Sequence, residues 1–171
     1  MNLQTILCAI DGSEHSDKAV ELAADLAARY SARLYFVHVL MRDLTFAQLS
    51  KYEGNAHLSD VVEAEQKALA DLMVSGQVSF VPGASNAVVR QLAEIVSVDA
   101  KAQAESHGVS DVNVAILDGK PDDEIIAFAN RIHAEMIVIG TRGLSGVKDF
   151  LLGSVSQKVL DRAACTCVCV K

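Results

Sequence analysis

Met136-Ile137-Val138-Ile139-Gly140-Thr141-Arg142-Gly143, then nine residues, then Gly153-Ser154, joins a short apolar run to a glycine-rich turn. Four consecutive apolar residues read as a buried strand, and Val155-Ser156-Gln157-Lys158-Val159-Leu160 reads as the start of a helix. A strand that leads through a glycine-rich turn to a helix N-terminus presents unpaired backbone N–H groups, the arrangement that receives phosphate.

The same alternation runs through the rest of the chain. Thr5-Ile6-Leu7-Cys8-Ala9-Ile10 is a continuous apolar run of the kind found in parallel strands covered on both faces. Asp11-Gly12-Ser13-Glu14 breaks it, with Ser13 or Ser16 able to cap the next helix, where Ala19, Leu22, Ala23, Leu26, Ala27 and Tyr30 form one stripe. Leu34-Tyr35-Phe36-Val37-His38-Val39-Leu40 is a second strand, so residues 5–40 make a strand–helix–strand unit with a right-handed crossover. Gly54-Asn55 marks a turn, helical spacing returns from about Ser59 to Gly76, and residues 77–81 read as a short strand stopped by Pro82-Gly83. A helix is predicted from Ser85 or Asn86 to about His107, with Val88, Val89, Leu92, Ile95, Val96 and Ala102 inward and Gly108 ending it. The remaining units are a strand at 112–117, a helix opened by Pro121 and the acids Asp122, Asp123 and Glu124, the strand at 136–139, and a last strand at 165–170. Strands alternating with helices predict an α/β fold, a mostly parallel sheet with helices on both faces, whose ligand crevice lies beyond the C-terminal strand ends.

Composition narrows the function. The chain has 171 residues, 51% hydrophobic and 22% charged, the make-up of one folded domain with a sizeable core. A formal net charge of −7 argues against non-specific nucleic-acid binding, which needs a basic footprint. No apolar run approaches the roughly 18 residues of a membrane span, and Asp11, Glu14 and Asp17 interrupt any secretory pattern, so a cytoplasmic location is expected. Cys165, Cys167 and Cys169 alternate along the last strand at about 6.8 Å spacing, too spread for one zinc, and read with Cys8 as small hydrophobes.

Three strand ends converge on the crevice: Ile10-Asp11-Gly12, Val39 and Gly140. Asp11 is placed to receive ribose or adenine donors, and reads equally as a capping or turn residue. Gly140 and Gly143 allow backbone to approach a ligand closely, or serve a turn that needs positive φ. Gly153, Ser154 and Ser156 suit an oxyanion at a helix start, although a capping serine accounts for one hydroxyl. Neither the Walker phosphate loop nor the Gly-x-Gly-x-x-Gly fingerprint is present. No Ser-His-Asp set, paired carboxylates or histidine metal motif can be assembled from local spacing.

On these residues the chain resembles the universal stress protein family, the UspA-like superfamily, along nearly its whole length. The specific element is Gly-x-x-Gly-x9-Gly-Ser/Thr, matched by Gly140, Gly143, Gly153 and Ser154, which marks the ATP-binding branch. The resemblance implies an open parallel five-stranded sheet in the order 3-2-1-4-5, a Rossmann-like, adenine nucleotide alpha hydrolase-like architecture. It implies one domain over residues 1–171, with the excess length read as a helical insertion in 41–84. By match to the family, Asp11 lies near the adenosine, Val39 lines the adenine pocket, and Ala9 and Ile10 contact the base. Gly140, Arg142 and Gly143 surround ribose and phosphates, while Gly153, Ser154, Val155 and Ser156 hold the phosphates. The implied ligand is ATP, or AMP or ADP, with Mg2+ or Mn2+ accompanying the phosphates, and the implied assembly is a homodimer through residues 165–170. Here Cys165-Thr166-Cys167 replaces the family's frequent Cys-Pro-Val, which restores a backbone donor at that edge. The expected role is a nucleotide-dependent switch or sensor in stress response, with an unnamed protein partner and nucleotide ordering the 141–152 segment. A slow ATP hydrolase or phosphotransferase, with Asp11 and Ser154 or Ser156 as candidates, and a nucleotide-free interaction module are the alternatives.

Overall fold

The computed structural model describes residues 3–40, 60, 63–64, 67–68, 70–71, 74–75, 86–143 and 152–171. Its elements are β1 (Thr5–Ala9), α1 (Glu14–Tyr30), β2 (Arg33–Leu40), α2 (Asn86–Ser106), β3 (Val112–Asp118), α3 (Pro121–Arg131), β4 (Met136–Gly140), α4 (Ser154–Arg162) and β5 (Thr166–Val170). The described positions from 60 to 74 have helical backbone, as the spacing predicts after Ser59. The turn at Gly54-Asn55 and the short strand at 77–81 lie outside the described residues.

All five strands are parallel, in the order β3-β2-β1-β4-β5. Register places Ala9, the last residue of β1, beside Val37 on one side and Ile139 on the other, so β1 and β4 end within a residue of each other while β2 runs three residues further to Leu40. The apolar runs are long because both sheet faces are buried. On one face Ile6, Cys8, Leu34, Phe36 and Val138 pack under α1 and α2. On the other, Leu7, Ala9, Val37, Val39, Ile137 and Ile139 pack under α3 and α4 through Ile125, Phe128, Ala129 and Val159. Cys165, Cys167 and Cys169 sit half-buried against this second face, while Cys8 is fully buried in the first.

Alanine carries α1 onto the sheet: Ala19, Ala23, Ala24 and Ala27 are all at 0% exposure, and Val20 joins them. The stripe is therefore rotated from the expected one. Leu22 and Leu26 are only partly buried, and Tyr30 is exposed because it falls in the last turn, where an amphipathic ring keeps its polar tip wet. In α2, Ala100 and Ala104 face inward in place of the exposed Ala102. Gly108 ends that segment at φ +84 with its N–H on Glu105, as its position predicts. Ser31 closes α1 in the left-handed region at φ 52, a conformation that no glycine announced.

Candidate functional site

A cavity of about 260 Å³ opens beyond the C-terminal ends of β1, β2 and β4. Ala9, Ile10, Asp11, Val39, Gly140, Arg142, Gly143, Gly153, Ser154, Val155 and Ser156, the residues singled out in the sequence, all line it. Ser16, Val37, Pro121, Ile125 and Ile139 line it too and were not singled out. Strand periodicity points to Val37, which shares a sheet face with Val39. Pro121 and Ile125 come from α3, one helical turn apart, and the packing of α3 over β2 and beside α4 brings them there.

The walls differ in character. Ala9, Val37, Val39, Ile125 and Ile139 form an apolar end that belongs to the second-face core. The opposite end is backbone. Gly153 is the N-cap of α4 and supplies no side-chain hydrogen bond, and the first intrahelical bond runs from Gln157 N–H to Gly153 C=O at 2.9 Å. The amides of Ser154, Val155 and Ser156 therefore precede the helical ladder at the positive end of the helix. Helix α1 shows the contrast, because there Ser13 caps through its own side chain, which accepts from Ser16 N–H.

Between these ends, Asp11 is held in a tight local network. Ser13 N–H donates to Asp11 Oδ1 at 3.0 Å, Asp11 N–H donates to Ser16 Oγ at 3.1 Å, and Ser13 Oγ donates to the Arg142 carbonyl at 3.2 Å. The loop after β1 is thereby tied to the loop after β4. Asp11 is thus a turn residue and a cavity residue at once. The glycines serve close approach, since neither Gly140 nor Gly143 has positive φ. A Cβ on Gly143 would fall on Asp11 Oδ2, and one on Gly140 would lie 2.9 Å from the His15 carbonyl carbon.

Thr141, 2% exposed, is the node beneath the turn. Its N–H donates to Val170 C=O at 2.7 Å, and its C=O accepts Gly153 N–H at 2.6 Å and Ser156 Oγ at 3.1 Å. His15 Nδ1 stands 2.9 Å from Thr141 Oγ1 and 3.4 Å from Val170 C=O, so this histidine braces the turn from behind. Residues 144–151 lie outside the described residues, and with them most of the 141–152 segment.

Asp11 is the one acid among the described lining residues, while Asp17 and Asp99 line a separate small hollow between α1 and α2. Burial raises the Asp17 carboxyl above its usual range, and Asp11, Asp99 and Glu14 add to the rise. Among the described lining residues, Arg142 is the one cation. His38 lies on β2 with its side chain on the face opposite Val37 and Val39, and burial pushes its imidazole down to about 4. Among the described residues, no group of three or more histidine, cysteine, aspartate or glutamate side chains is arranged to hold a metal ion. No described helix is long and apolar enough to cross a membrane.

This arrangement has clear relatives. The profile of the universal stress protein family matches residues 2–171. The chain belongs to the universal stress protein family. It is 31% identical over 168 residues to a universal stress protein from Thermus aquaticus, covering 98% of both chains. It is 31% identical over 166 residues to universal stress protein YxiE from Bacillus subtilis, covering 97% of both. Among solved structures, a universal stress protein in complex with cAMP aligns with a TM-score of 0.63 at 22% identity, covering 99% of this chain and 98% of that one. A universal stress protein from Archaeoglobus fulgidus in complex with dAMP aligns at 0.59 and 21% identity, with both chains covered fully. At these identities the two structures are likenesses of the universal stress protein fold, and the β3-β2-β1-β4-β5 order agrees with the order expected of it.

Proposed function

We propose that this chain binds an adenine nucleotide, ATP in the first instance, and acts as a nucleotide-dependent switch or sensor in stress response. The observation that carries the reading is the pairing, in one cavity, of an apolar end with an uncapped helix N-terminus, with Asp11 between them. In this reading the base lies against Val37, Val39 and Ala9. Ribose hydroxyls donate to Asp11, since a carboxylate accepts about four hydrogen bonds. Phosphate oxygens accept from the amides of Ser154, Val155 and Ser156 and from the Ser154 hydroxyl, and the helix dipole favours their charge. Arg142 adds a positive charge at the same wall, and Mg2+ or Mn2+ would accompany a polyphosphate. The cAMP and dAMP held by the two structural relatives are adenine nucleotides and support the same ligand class.

The switch would act through Thr141. Ligand contacts at Arg142, Gly143 and Gly153 flank this residue, and its N–H holds the last carbonyl of β5. A ligand shifts only states that it binds unequally, and the geometry of the Thr141–Val170 bond is the difference that occupancy would exert on the β5 edge. That edge would pair with a second copy through residues 165–170 as a homodimer. A single cytoplasmic domain over residues 1–171, with 41–84 as its helical insertion, completes the proposal.

The test is the adenine nucleotide released by heat from freshly purified protein, followed by titration of ATP into nucleotide-depleted wild type and Gly153→Val. A Cβ at 153 would already lie 3.3 Å from Thr141 C=O, so branched bulk there should displace the turn and abolish binding. ATP affinity unchanged in the variant would remove this cavity as the site.

A further inference from the structure

The geometry points to Asp122 as a positioning residue that fixes the phosphate-facing turn of α4 through an ionic hub, in which its buried carboxylate meets the half-exposed cations Lys120, Lys158 and Arg162. This rests on the adenine-nucleotide reading for its functional consequence, although the hub is visible without it. Asp122 is 2% exposed, far less than the two carboxylates that follow it. Arg162 Nη1 donates to Asp122 Oδ2 at 2.8 Å and to Asp123 Oδ1 at 2.7 Å. Lys158 Nζ lies 3.7 Å from Asp122 Oδ1, and Lys120 Nζ lies 3.5 Å from Asp122 Oδ2. Exposed ion pairs are worth little, but a buried carboxylate that loses its partners is left with an uncompensated charge, so this contact constrains the helices it joins.

The helix that it constrains is short. Nine residues are too few for a stable isolated helix, so α4 depends on tertiary contacts to keep its first turn in place. Among the described residues its fixings include Val159 in the second-face core, Gly153 N–H and Ser156 Oγ on Thr141 C=O, and Lys158 and Arg162 on Asp122. Ser154, Lys158 and Arg162 recur at four-residue spacing and so share one stripe. Asp122 grips the lower two of these, and Ser154 at the top faces the cavity. On α3, Pro121 lines the cavity and the next residue is the hub, so one helix start carries both the wall and its anchor. The hub thereby sets the distance between the α3 wall and the α4 amides.

If Asp122 positions the phosphate amides, its loss should separate phosphate from nucleoside recognition. Calorimetric titration of ATP and adenosine into full-length wild type, Asp122→Asn, Arg162→Gln and the double variant tests this. We expect each single variant to weaken ATP binding about tenfold, the double variant to add little to either, and adenosine affinity to stay within about twofold. Equal losses for ATP and adenosine would reduce Asp122 to general support of the fold, and unchanged ATP affinity would overturn the positioning role. Amide hydrogen exchange on the nucleotide-free proteins decides the hub independently. The Gln157 N–H, bonded to Gly153 C=O, should exchange several-fold faster in Asp122→Asn and Arg162→Gln, with α1 amides unchanged. Exchange at Gln157 equal to wild type would overturn the inference even if wild type bound no nucleotide. Failure of wild type to bind either ligand, with Gln157 loosened as expected, would sink the nucleotide reading and leave the hub standing.

Discussion

Acidification should destabilise this protein through His38 specifically. The imidazole is 3% exposed, its Nδ1 has no hydrogen-bond partner among the described residues, and burial lowers its pKa from 6.5 to about 4. The backbone hydrogen bond to Ile10 opposes that fall without cancelling it. Above pH 6.5 the side chain is neutral in folded and unfolded chains alike, and the stability it permits is fully present. As pH drops, the unfolded chain takes up the proton first, so stability is lost between about 6.5 and about 4. At pH 5 the unfolded imidazole is protonated about thirty to one, whereas the folded one is about one-tenth protonated, a difference of about 2 kcal/mol that grows to about 3 kcal/mol near pH 4. Urea unfolding of wild type and His38→Gln at about pH 7.5 and about pH 5 measures it, because carboxylate titration cancels between the two proteins. Wild type should lose about 2 kcal/mol more than the variant over that interval. Parallel losses in the two proteins would refute a buried, neutral His38.

The glycines separate stability from binding. Gly140→Ala would press a methyl group against the His15 backbone, so a loss of about 1–3 kcal/mol and a melting temperature lower by several degrees are expected; an unchanged melt would contradict the close approach. Gly143→Ala instead meets the Asp11 carboxylate, and should weaken ATP binding about tenfold with a melting temperature within about 2 °C of wild type, checked by titration alongside calorimetry. Ser13→Ala removes the α1 cap and the tie to Arg142, and should cost about 1 kcal/mol in chemical unfolding.

The sheet was legible because its strands are buried on both faces: Thr5-Ile6-Leu7-Cys8-Ala9 and Met136-Ile137-Val138-Ile139 are short apolar runs closed by Asp11-Gly12 and Gly140, and their length and flanks favour strand over helix. The strand order came from the family resemblance, since periodicity alone does not say which neighbours pair. The helix faces agree with the expected ones at Ala19, Ala23 and Ala27 of α1 and at Val88, Val89, Leu92 and Val96 of α2, and differ where Val20 and Ala24 take the place of Leu22, Leu26 and Tyr30. In α1 the close approach of Ala24 to the sheet outweighs the greater area of Tyr30, a choice made by packing rather than by hydrophobicity. At the site, the Gly-x-x-Gly-x9-Gly-Ser spacing locates the β4–α4 connection, but it does not distinguish positive φ from close approach at Gly140 and Gly143. The backbone excludes positive φ at both, and the Cβ positions show close approach to His15 and Asp11 of the chain itself. The Asp122 hub left no local signal, because its partner Arg162 is 40 residues away and an acidic first turn reads simply as helix-dipole compensation.

Backbone amide chemical shifts of isotope-labelled, nucleotide-depleted protein, followed as ATP is added, test the central claim most directly. The account predicts saturable shifts concentrated at Ile10, Asp11, Val39, Gly140 to Gly143 and Gly153 to Ser156, the residues around the cavity at the C-terminal strand ends. No saturable shift up to millimolar ATP, or shifts centred on the polar hollow around Gln4, Arg33 and Asp111 at the other end of the sheet, would contradict it.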